Sequence, residues 1–235
     1  MSTGKICIIG ASSSVAAQLT TSLLQAGESL HLIAKDVSSL PDTPLVSTAA
    51  ADVTNTAQLQ QAIAACPGPL KGLVYCPGTI ILKDVASITE QDFNHHLAVN
   101  TTGAFFAVQA GLAKLKEGHG SVVLFSSVAA RKGFAKHAVI SACKAGVEGL
   151  TVALAKELSP AVRVNCIAPS LMDTKMSQPI VGNPAVKGAL GKAHPLGRLG
   201  EASDAASLAA FLLSDQSAWI TGQVMGLDGG RSSLD

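Results

Sequence analysis

Aromatic and charged side chains are both scarce in this chain of 235 residues. Aromatic residues make up 3% of the sequence and charged residues 14%, whereas hydrophobic residues make up 48%. The low charge and the high apolar content exclude an intrinsically disordered chain. Because so few aromatic rings are present, the core has to be built from Ala, Val, Ile and Leu, which suits a parallel sheet covered by helices on both faces.

Paired cysteines, a large net charge and a secretion signal are missing as well. The five cysteines make an odd count with no CxxC pair, so we expect neither disulfides nor a metal site, and a cytoplasmic location. A formal net charge of +1 gives no reason to expect a nucleic-acid partner. We expect no apolar run of the roughly eighteen residues that a membrane span needs, and therefore no membrane partner. The N-terminus also lacks the basic and then apolar segments of a secretion signal.

The most informative stretch runs from Ser126 to Gly146. It follows an apolar, β-branched run at 121–125 that predicts a buried strand. It continues through a basic loop into a helix predicted over 138–158, where aliphatic residues recur at three- and four-residue steps. A strand that ends in two serines and a helix that carries Lys144 place hydroxyl groups and an ammonium at the carboxyl edge of the sheet. Open parallel sheets bind their ligands at that edge.

A second informative stretch lies at the N-terminus. Residues 5–9 predict a strand that leads through Gly10-Ala-Ser-Ser-Ser-Val-Ala16 into an amphipathic helix ending near Ala26. A turn of this kind binds phosphate, because free N–H groups and the helix dipole favour an anion. Taken alone, a turn with a single glycine fits an ordinary strand-to-helix connection equally well. Apolar runs predict further strands at 30–34, 45–50, 71–75 and 162–168, and periodic segments predict helices at 57–65, 92–115 and up to 213.

At these residues the chain resembles the short-chain dehydrogenase/reductase family. That family has a serine after this strand, a tyrosine thirteen positions later and a lysine four positions beyond the tyrosine. Ser127 fits the serine, Lys144 fits the lysine, and Ile140 stands at the tyrosine position. The only tyrosine of the chain is Tyr75. The resemblance spans nearly the whole chain and implies a single-domain, Rossmann-like α/β fold, a doubly wound parallel sheet of about seven strands with helices on both faces.

The resemblance also implies a dinucleotide site formed by successive strand ends. Of the three glycines in the family's phosphate-binding turn only Gly10 is present, and Ser14 and Ala16 hold the other two places. Ala is a tolerable packing substitute at the third place, and the Ser14 hydroxyl could donate to a phosphate. The predicted cofactor-binding residues are Gly10, Ser12, Ser13, Ser14, Val15, Lys35, Asp52, Val53, Cys76, Pro77, Gly78, Lys144, Pro169, Leu171 and Thr174.

The end of the second predicted strand bears on the choice of cofactor. Ala34 occupies the position at which NAD-preferring relatives carry a carboxylate, and Lys35 suits the 2′-phosphate of NADP. Asp36 lies one position too late for NAD, and a solvated surface lysine is the plain alternative for Lys35. We expect NADP in preference to NAD. Asp52 matches a family carboxylate that accepts from adenine, and it could also cap the following helix.

The expected catalytic residues are Ser127, Lys144 and Asn100. In the family the serine holds the carbonyl oxygen, the lysine grips the cofactor ribose, and an asparagine at a helix kink orders a water near the lysine. Asn100 fits that last position, although a kink residue without chemistry is the alternative. The family's tyrosine exchanges the proton, and Ile140 cannot do so. His137 and a water ordered by Ser127 are the candidate donors, and a surface histidine without a role is the alternative for His137.

Two functions therefore remain open. The first is an NADP(H)-dependent oxidoreductase that acts on a small-molecule carbonyl or alcohol substrate with an altered proton donor. The second is a catalytically impaired NADP(H)-binding protein that serves as a sensor or as a non-catalytic partner subunit. The proline- and glycine-rich segment 172–199 is expected to be an irregular, mobile lid over the substrate. Relatives are commonly dimers or tetramers that bury the helices starting near Thr101 and Ala138, so a homo-oligomer is expected.

Overall fold

The computed structural model describes residues 4–234, and these form an α/β fold around one seven-stranded parallel sheet. The sheet order is β3-β2-β1-β4-β5-β6-β9, and a separate pair of two-residue strands, β7 and β8, lies outside it. This confirms the fold predicted from the sequence. In chain order the strands are β1 Lys5–Ile9, β2 Leu30–Ala34, β3 Val46–Ala50, β4 Leu70–Tyr75, β5 Ser121–Phe125, β6 Arg163–Pro169, β7 Met172–Asp173, β8 Gly200–Glu201 and β9 Val224–Leu227.

Eight α-helices accompany the strands in the described part of the chain, and the long ones cover both faces of the sheet. Helices α1 and α8 pack on one face, and α2, α4 and α5 pack on the other. Each face is lined by a separate cluster of buried aliphatic side chains. The helices are α1 Ser14–Gln25, α2 Thr56–Ala64, α3 Glu90–Leu97, α4 Gly103–Glu117, α5 Ala138–Leu158, α6 Gln178–Val181, α7 Pro184–Lys192 and α8 Ala202–Leu213.

The strand order places a crevice beside the first strand. The chain moves outward from β1 to β2 and β3, and then crosses back to β4 on the other side of β1. The helices that follow β1 and β4 therefore leave on opposite faces of the sheet, which opens a crevice at the carboxyl ends of these two strands. The turn out of β1 needs Gly10, whose φ is +74°, because side chains with a Cβ rarely adopt such a backbone conformation.

A π-helical segment, Ala98–Thr102, joins α3 to α4. It confirms the predicted interruption of this helix near Asn100, and π-helical turns are frequently found at functional sites. The hydroxyl of Tyr75, at the end of β4, donates to the carbonyl oxygen of Val99 at 2.6 Å. A Cβ on Gly103 would lie 2.2 Å from that hydroxyl oxygen, so only glycine fits at the start of α4.

Helix α5 is long and apolar enough to cross a membrane by length and composition, which differs from the sequence expectation. The difference arises because residues 138–155 contain many alanines and glycines and few charged residues, so the helix as a whole is apolar although it contains no long uninterrupted apolar run. Its buried positions recur at three- and four-residue steps, and the helix packs against β6. One such helix is weak support for a membrane span, since the core helix of a globular domain has the same composition.

The segment 172–199 is not irregular, contrary to the sequence expectation. It contains β7, α6 and α7, and β7 pairs with β8 in register Met172 to Gly200. Asn183 caps α7, its side-chain oxygen accepting from the backbone N–H of Ala185 at 2.9 Å. Pro184 occupies the first turn of that helix, where a missing N–H costs nothing. Prolines at helix starts and interspersed glycines concealed the periodicity of these short helices.

Candidate cofactor and active site

One cleft of about 810 Å³ runs along the carboxyl ends of the central strands. Every cofactor-binding and catalytic residue predicted from the sequence lines it, from Gly10 after β1 to Thr174 after β7. The structure thus brings together residues from the first and last thirds of the chain. Lining residues that the sequence analysis did not single out include Thr79, Ile80, Leu82, Phe134, Ser170, Lys175, Met176, Ile180, Leu190 and Arg231.

The glycine turn after β1 leaves backbone donors available at the start of α1. Ser13 caps the helix, and its side-chain oxygen accepts from the Ala16 N–H at 3.3 Å. Among the described residues, the N–H groups of Ser12, Ser14 and Val15 have no acceptor. Free N–H groups at a helix N-terminus form an anion site. The Ser14 hydroxyl accepts from the backbone N–H of Lys175 at 3.3 Å, which ties this turn to the segment after β7.

An ion pair lies at the predicted adenosine end of the cleft. Lys35 Nζ lies 2.8 Å from Asp52 Oδ2, while Asp52 Oδ1 accepts from the backbone and the hydroxyl of Thr54. The hydrogen bond from Lys35 is the largest cause that lowers the pKa of Asp52 to about 2. Asp52 does not cap α2, because the side chain of Asn55 accepts from Gln58 N–H instead. The alternative prediction that Asp52 caps this helix is therefore wrong.

Lys144 lies at the centre of the cleft with its side chain largely buried. Its exposed fraction is 8%, and its Nζ donates to the carbonyl oxygen of Phe125 at 2.8 Å. Burial disfavours the ammonium and lowers the pKa of Lys144 to about 8. A Cβ on Gly78 would lie 3.8 Å from Lys144 Nζ and 3.3 Å from Asn100 Oδ1, so the glycine keeps space beside both polar groups.

Asn100 braces the loop after β4 against the π-helical segment. Its Nδ2 donates to the carbonyl oxygens of His96 at 2.9 Å and Thr79 at 3.0 Å, and its Oδ1 accepts from Thr79 N–H at 3.4 Å. The side chain is therefore fully committed to local structure, and its exposed fraction is 1%. This arrangement holds the kinked backbone in place beside the cleft.

The two serines after β5 have different surroundings. Ser126 Oγ is buried and lies 3.1 Å from the carbonyl oxygen of Lys144 and 3.0 Å from Glu148 Oε1, so its proton is used inside the protein. Ser127 Oγ accepts from the backbone N–H of Ala129 at 3.2 Å. Because accepting leaves the hydroxyl proton of Ser127 available, this serine is the one that can donate to a ligand in the cleft.

Ile140 lines the cleft one helical turn before Lys144. Tyr75 does not line it, and burial raises the pKa of its phenol further above the usual value. His137 occupies the N-cap position of α5, one turn before Ile140, without a side-chain capping hydrogen bond, and it lines the same cleft. Its Nδ1 lies 2.7 Å from the carbonyl oxygen of Ala135. A carbonyl only accepts, so we assign the proton of the neutral ring to Nδ1, which leaves Nε2 to exchange a proton with a ligand.

A hydrogen-bonded serine–histidine pair lies at the cleft after β6, with His194 buried and Ser170 partly buried, and the sequence analysis did not predict it. Ser170 Oγ lies 2.8 Å from His194 Nε2, and His194 Nδ1 lies 2.9 Å from the carbonyl oxygen of Leu190. By the same assignment Nδ1 donates to the carbonyl and Ser170 donates to Nε2. The pair joins the end of β6 to the region after α7.

These residues fit a dinucleotide, in which a pyrophosphate joins an adenosine half to a reactive ring. The unpaired N–H groups at α1 suit a pyrophosphate, and Lys175 lies beside that turn. Among the residues that line the cleft, Asp52 is the only carboxylate, and Lys35 pairs with it. The remaining fixed charges of the lining are positive. The site therefore has the charge, the backbone donors and the volume that a dinucleotide requires.

Known proteins that are similar to this chain in sequence are reductases and dehydrogenases. A family model described as enoyl-(acyl carrier protein) reductase matches residues 10–232. The chain is 33% identical over 242 residues to a 3-oxoacyl-[acyl-carrier-protein] reductase from Thermotoga maritima, with 97% of each chain covered. It is 36% identical over 193 residues to 2-(S)-hydroxypropyl-CoM dehydrogenase 3 from Xanthobacter autotrophicus, covering 78% of this chain and 76% of that protein.

Solved structures agree with these relatives. A short-chain type dehydrogenase/reductase from Mycobacterium ulcerans superposes with a TM-score of 0.91 at 26% identity, covering 99% of this chain and 90% of that chain. A gluconate 5-dehydrogenase from Burkholderia cenocepacia, solved in complex with NADP and tartrate, has a TM-score of 0.92 at 24% identity, with 99% of this chain and 96% of that chain covered. At this level of identity, the similarity to the gluconate 5-dehydrogenase shows a shared fold and no more.

Proposed function

Because the chain belongs to the short-chain dehydrogenase/reductase family, we propose that it is an NADP(H)-dependent oxidoreductase of a carbonyl or alcohol substrate. Its proton donor is altered, because Ile140 stands at the position of the family's tyrosine. The observation that carries the proposal is the single cleft in which Gly10, Lys35 and Lys144 all lie. The relatives named above are reductases or dehydrogenases, which supports the same reaction class.

The chain's own residues would bind the cofactor along the whole cleft. The N–H groups at α1 hold the pyrophosphate, Lys144 binds the ribose next to the nicotinamide, and Thr174 binds the carboxamide. The backbone at Cys76, Pro77 and Gly78 borders the adenosine ribose. When bound, the cofactor supplies a hydride to the substrate carbon or removes one from it. The thiol of Cys76 is not expected to react, because burial raises its pKa to about 12.

NADP is the proposed cofactor because a cation, Lys35, follows β2 directly. Ala34 ends that strand, so no carboxylate of β2 is available for a ribose 2′-hydroxyl. A 2′-phosphate would displace Asp52 from Lys35, and a phosphate dianion is the stronger partner for an ammonium. That an NADP complex is known for a protein of the same fold supports a nicotinamide cofactor.

Proton transfer has to use a group other than residue 140. Ser127 would orient the substrate oxygen, and His137 Nε2, which has no protein partner among the described residues, would exchange the proton with it. An imidazole can both donate and accept a proton, so it can serve as a general acid or base. A water held by Ser127 is the second source of the proton. Lys144 keeps a positive charge close to the developing alkoxide whenever it is protonated.

A catalytically impaired NADP(H)-binding protein is the second candidate, and Ile140 is the observation that favours it. Loss of a general acid costs about 10²- to 10⁴-fold in rate, which would reduce turnover below a useful level unless His137 or water compensates. Such a protein would serve as a sensor or as a partner for an active subunit. The cleft and its cofactor would be the same in both candidates.

Two measurements distinguish these candidates. NADPH affinity is measured by the fluorescence of the bound dinucleotide, and turnover is measured as NADPH consumption with a panel of ketones, aldehydes and keto acids. Turnover by the wild type supports the oxidoreductase. Binding without turnover, together with activity in Ile140→Tyr, supports the impaired binding protein. Absence of affinity for both NADPH and NADH would contradict both.

We also propose that segment 172–199 closes over the substrate and that the protein acts as a cytoplasmic homo-oligomer. The segment contributes Met176, Ile180 and Leu190 to the cleft, so its position controls access to the reactive end. Val152, with an exposed fraction of 56%, lies on the outer surface of α5 and is available for contact with a second copy. Light scattering of the purified protein would measure the oligomeric state directly.

A further inference from the structure

Arg231 lines the cleft although it lies far from the other site residues in the sequence. It follows β9, in a turn that Asp228 organises by accepting the N–H of Gly230 at 2.9 Å. The Arg231 N–H donates to the Asp228 carbonyl oxygen at 3.1 Å, and Lys132 Nζ donates to the Arg231 carbonyl oxygen at 2.9 Å. The backbone of Arg231 is therefore held from two sides, and its side chain is half-buried.

The guanidinium of Arg231 is supported by an aromatic ring of the same cleft. Its central carbon, Cζ, lies 5.4 Å from the ring centroid of Phe134, within the range of a cation–π contact. The ring of Phe134 in turn lies 5.3 Å from that of His137, centroid to centroid. A guanidinium that uses its face against a ring keeps its N–H edge free for a planar anion.

No carboxylate neutralises this guanidinium within residues 4–234 of the chain. Two of its basic neighbours in the loop before α5 form ion pairs: Arg131 Nε lies 2.6 Å from Glu148 Oε2, and Lys136 Nζ lies 3.3 Å from Asp84 Oδ2. The third, Lys132, donates to the carbonyl oxygen of Arg231. Arg231 forms no ion pair with any described residue. A half-buried guanidinium in a cleft without a carboxylate partner is arranged for an anion from outside the chain.

The cofactor does not require this cation. Lys35 is at the adenosine end of the cleft, and Lys175 is bound through its backbone to Ser14 in the phosphate turn. Arg231 belongs instead to the end where Phe134 and His137 lie, next to Ile140 and therefore to the reacting position. Met176, Ile180 and Leu190 contribute apolar side chains to the lining of the same cleft.

We propose that the substrate is a small organic acid whose carboxylate binds the guanidinium of Arg231 while its carbonyl or alcohol carbon reacts beside Ser127. This inference rests on the proposed oxidoreductase function and deepens it by naming the class of substrate. Arg231 is a specificity-determining residue, and Phe134 positions it. The apolar side chains between the two polar ends accommodate a short carbon chain.

The test compares keto acids with their methyl esters, which keep the ketone and lack the negative charge. The probes are pyruvate, 3-oxobutanoate, 4-oxopentanoate and 5-oxohexanoate, which separate the ketone from the carboxylate by increasing lengths. Arg231→Ala should lower kcat/KM for the best acid by about 10- to 100-fold, the loss expected for a charged hydrogen bond. The same variant should change kcat/KM for the matching ester less than about threefold, and Arg231→Lys should restore part of the loss.

Lys116→Ala is the matched control, because it removes one positive charge at the exposed end of α4, outside the cleft. Neither this variant nor Arg231→Ala should alter the dissociation constant of NADPH. Should the wild type turn over too slowly, calorimetric binding of the same acids to the NADP-saturated protein replaces kcat/KM as the readout. Arg231→Ala should then weaken binding of the acid by the same factor.

Three outcomes would overturn the inference. They are a preference of the wild type for the esters, an equal effect of Arg231→Ala on acid and ester, and a failure of all four acids to bind or react. Each leaves the proposed function intact as long as NADPH binds and a neutral carbonyl is reduced. Failure of NADPH to bind contradicts the proposed function itself, so the two failures are told apart by the cofactor titration.

Discussion

Lys35 and Asp52 form a 2.8 Å ion pair across the ends of β2 and β3. Both residues are predicted to bind the adenosine half of the cofactor. Without the cofactor, they pair with each other. The Lys35 side chain is 69% exposed and that of Asp52 is 35% exposed. An ion pair so open to water contributes little free energy, so a 2′-phosphate can replace it at small cost.

Removing the Lys35 charge should therefore change the preference between cofactors. Lys35→Ala is expected to weaken NADPH binding by roughly 5-fold, in line with the small free energies of exposed charge contacts. NADH binding should stay the same, because NADH has no 2′-phosphate. Fluorescence titration with both cofactors measures the ratio, and Lys116→Ala serves as the charge-matched control. Equal weakening of NADPH and NADH would show that Lys35 does not contact the 2′-phosphate.

Ile140→Tyr should raise the turnover of NADPH with a carbonyl substrate. The new hydroxyl would lie one turn from Lys144 and supply the missing general acid, which is worth about 10²- to 10⁴-fold in rate. Ile140→Phe is the control, because it adds the ring without the hydroxyl. If both variants gave the same rate as the wild type, the proton would come from elsewhere, and His137→Gln would then be expected to abolish turnover.

The buried amine of Lys144 should make the stability of the cofactor-free protein depend on pH. The pKa of Lys144 is lowered to about 8 by burial, against a usual value near 10.4 in an unfolded chain. Between these two values the unfolded chain binds more protons, so the free energy of unfolding rises with pH. The rise is roughly 3 kcal/mol over this interval, at about 1.4 kcal/mol for each pH unit.

Lys144→Met removes the amine and should remove this rise. The measurement is chemical denaturation of both proteins at pH 7.5, 9 and 10.5, and the relevant quantity is the difference between them. That difference should become more favourable to the wild type as the pH increases. A constant difference would mean that Lys144 keeps its ordinary pKa in the folded protein.

Tyr75→Phe should affect stability and leave turnover unchanged. The variant removes the hydrogen bond from the phenol to Val99, whose oxygen lies 2.6 Å away, and such bonds contribute about 1 kcal/mol. Because Tyr75 is outside the cleft, kcat and KM should stay within about twofold of the wild type. Denaturation and steady-state kinetics on the same sample test both statements. A large loss of kcat with unchanged stability would assign a catalytic role to the only tyrosine of the chain.

Several parts of the fold could be predicted because their patterns are local. The strand at 5–9, the strand at 30–34 and the helix at 138–158 were predicted with the bounds that the structure has. Aliphatic runs and helical periodicity identify such elements directly. The helices in segment 172–199 were missed, because each is short and has a proline in its first turn.

The location of the site could be predicted as well, but its internal contacts could not. Parallel strands all end at one edge, so the residues after β1, β4, β5 and β6 had to meet there. Which of them pair with one another depends on side-chain geometry. Lys144, for example, hydrogen-bonds to the carbonyl oxygen of Phe125, and no pattern in the chain indicates that.

By itself, the sequence determined the class of fold, the order of the elements and the edge at which the chemistry lies, because these follow from short-range patterns of apolar residues and glycine. Only the tertiary structure decided that Ser170 pairs with His194 and that Arg231 stacks on Phe134 in the cleft. Such contacts join residues far apart in the chain. They depend on how the loops after the strands pack together, and that packing arises from the whole fold at once.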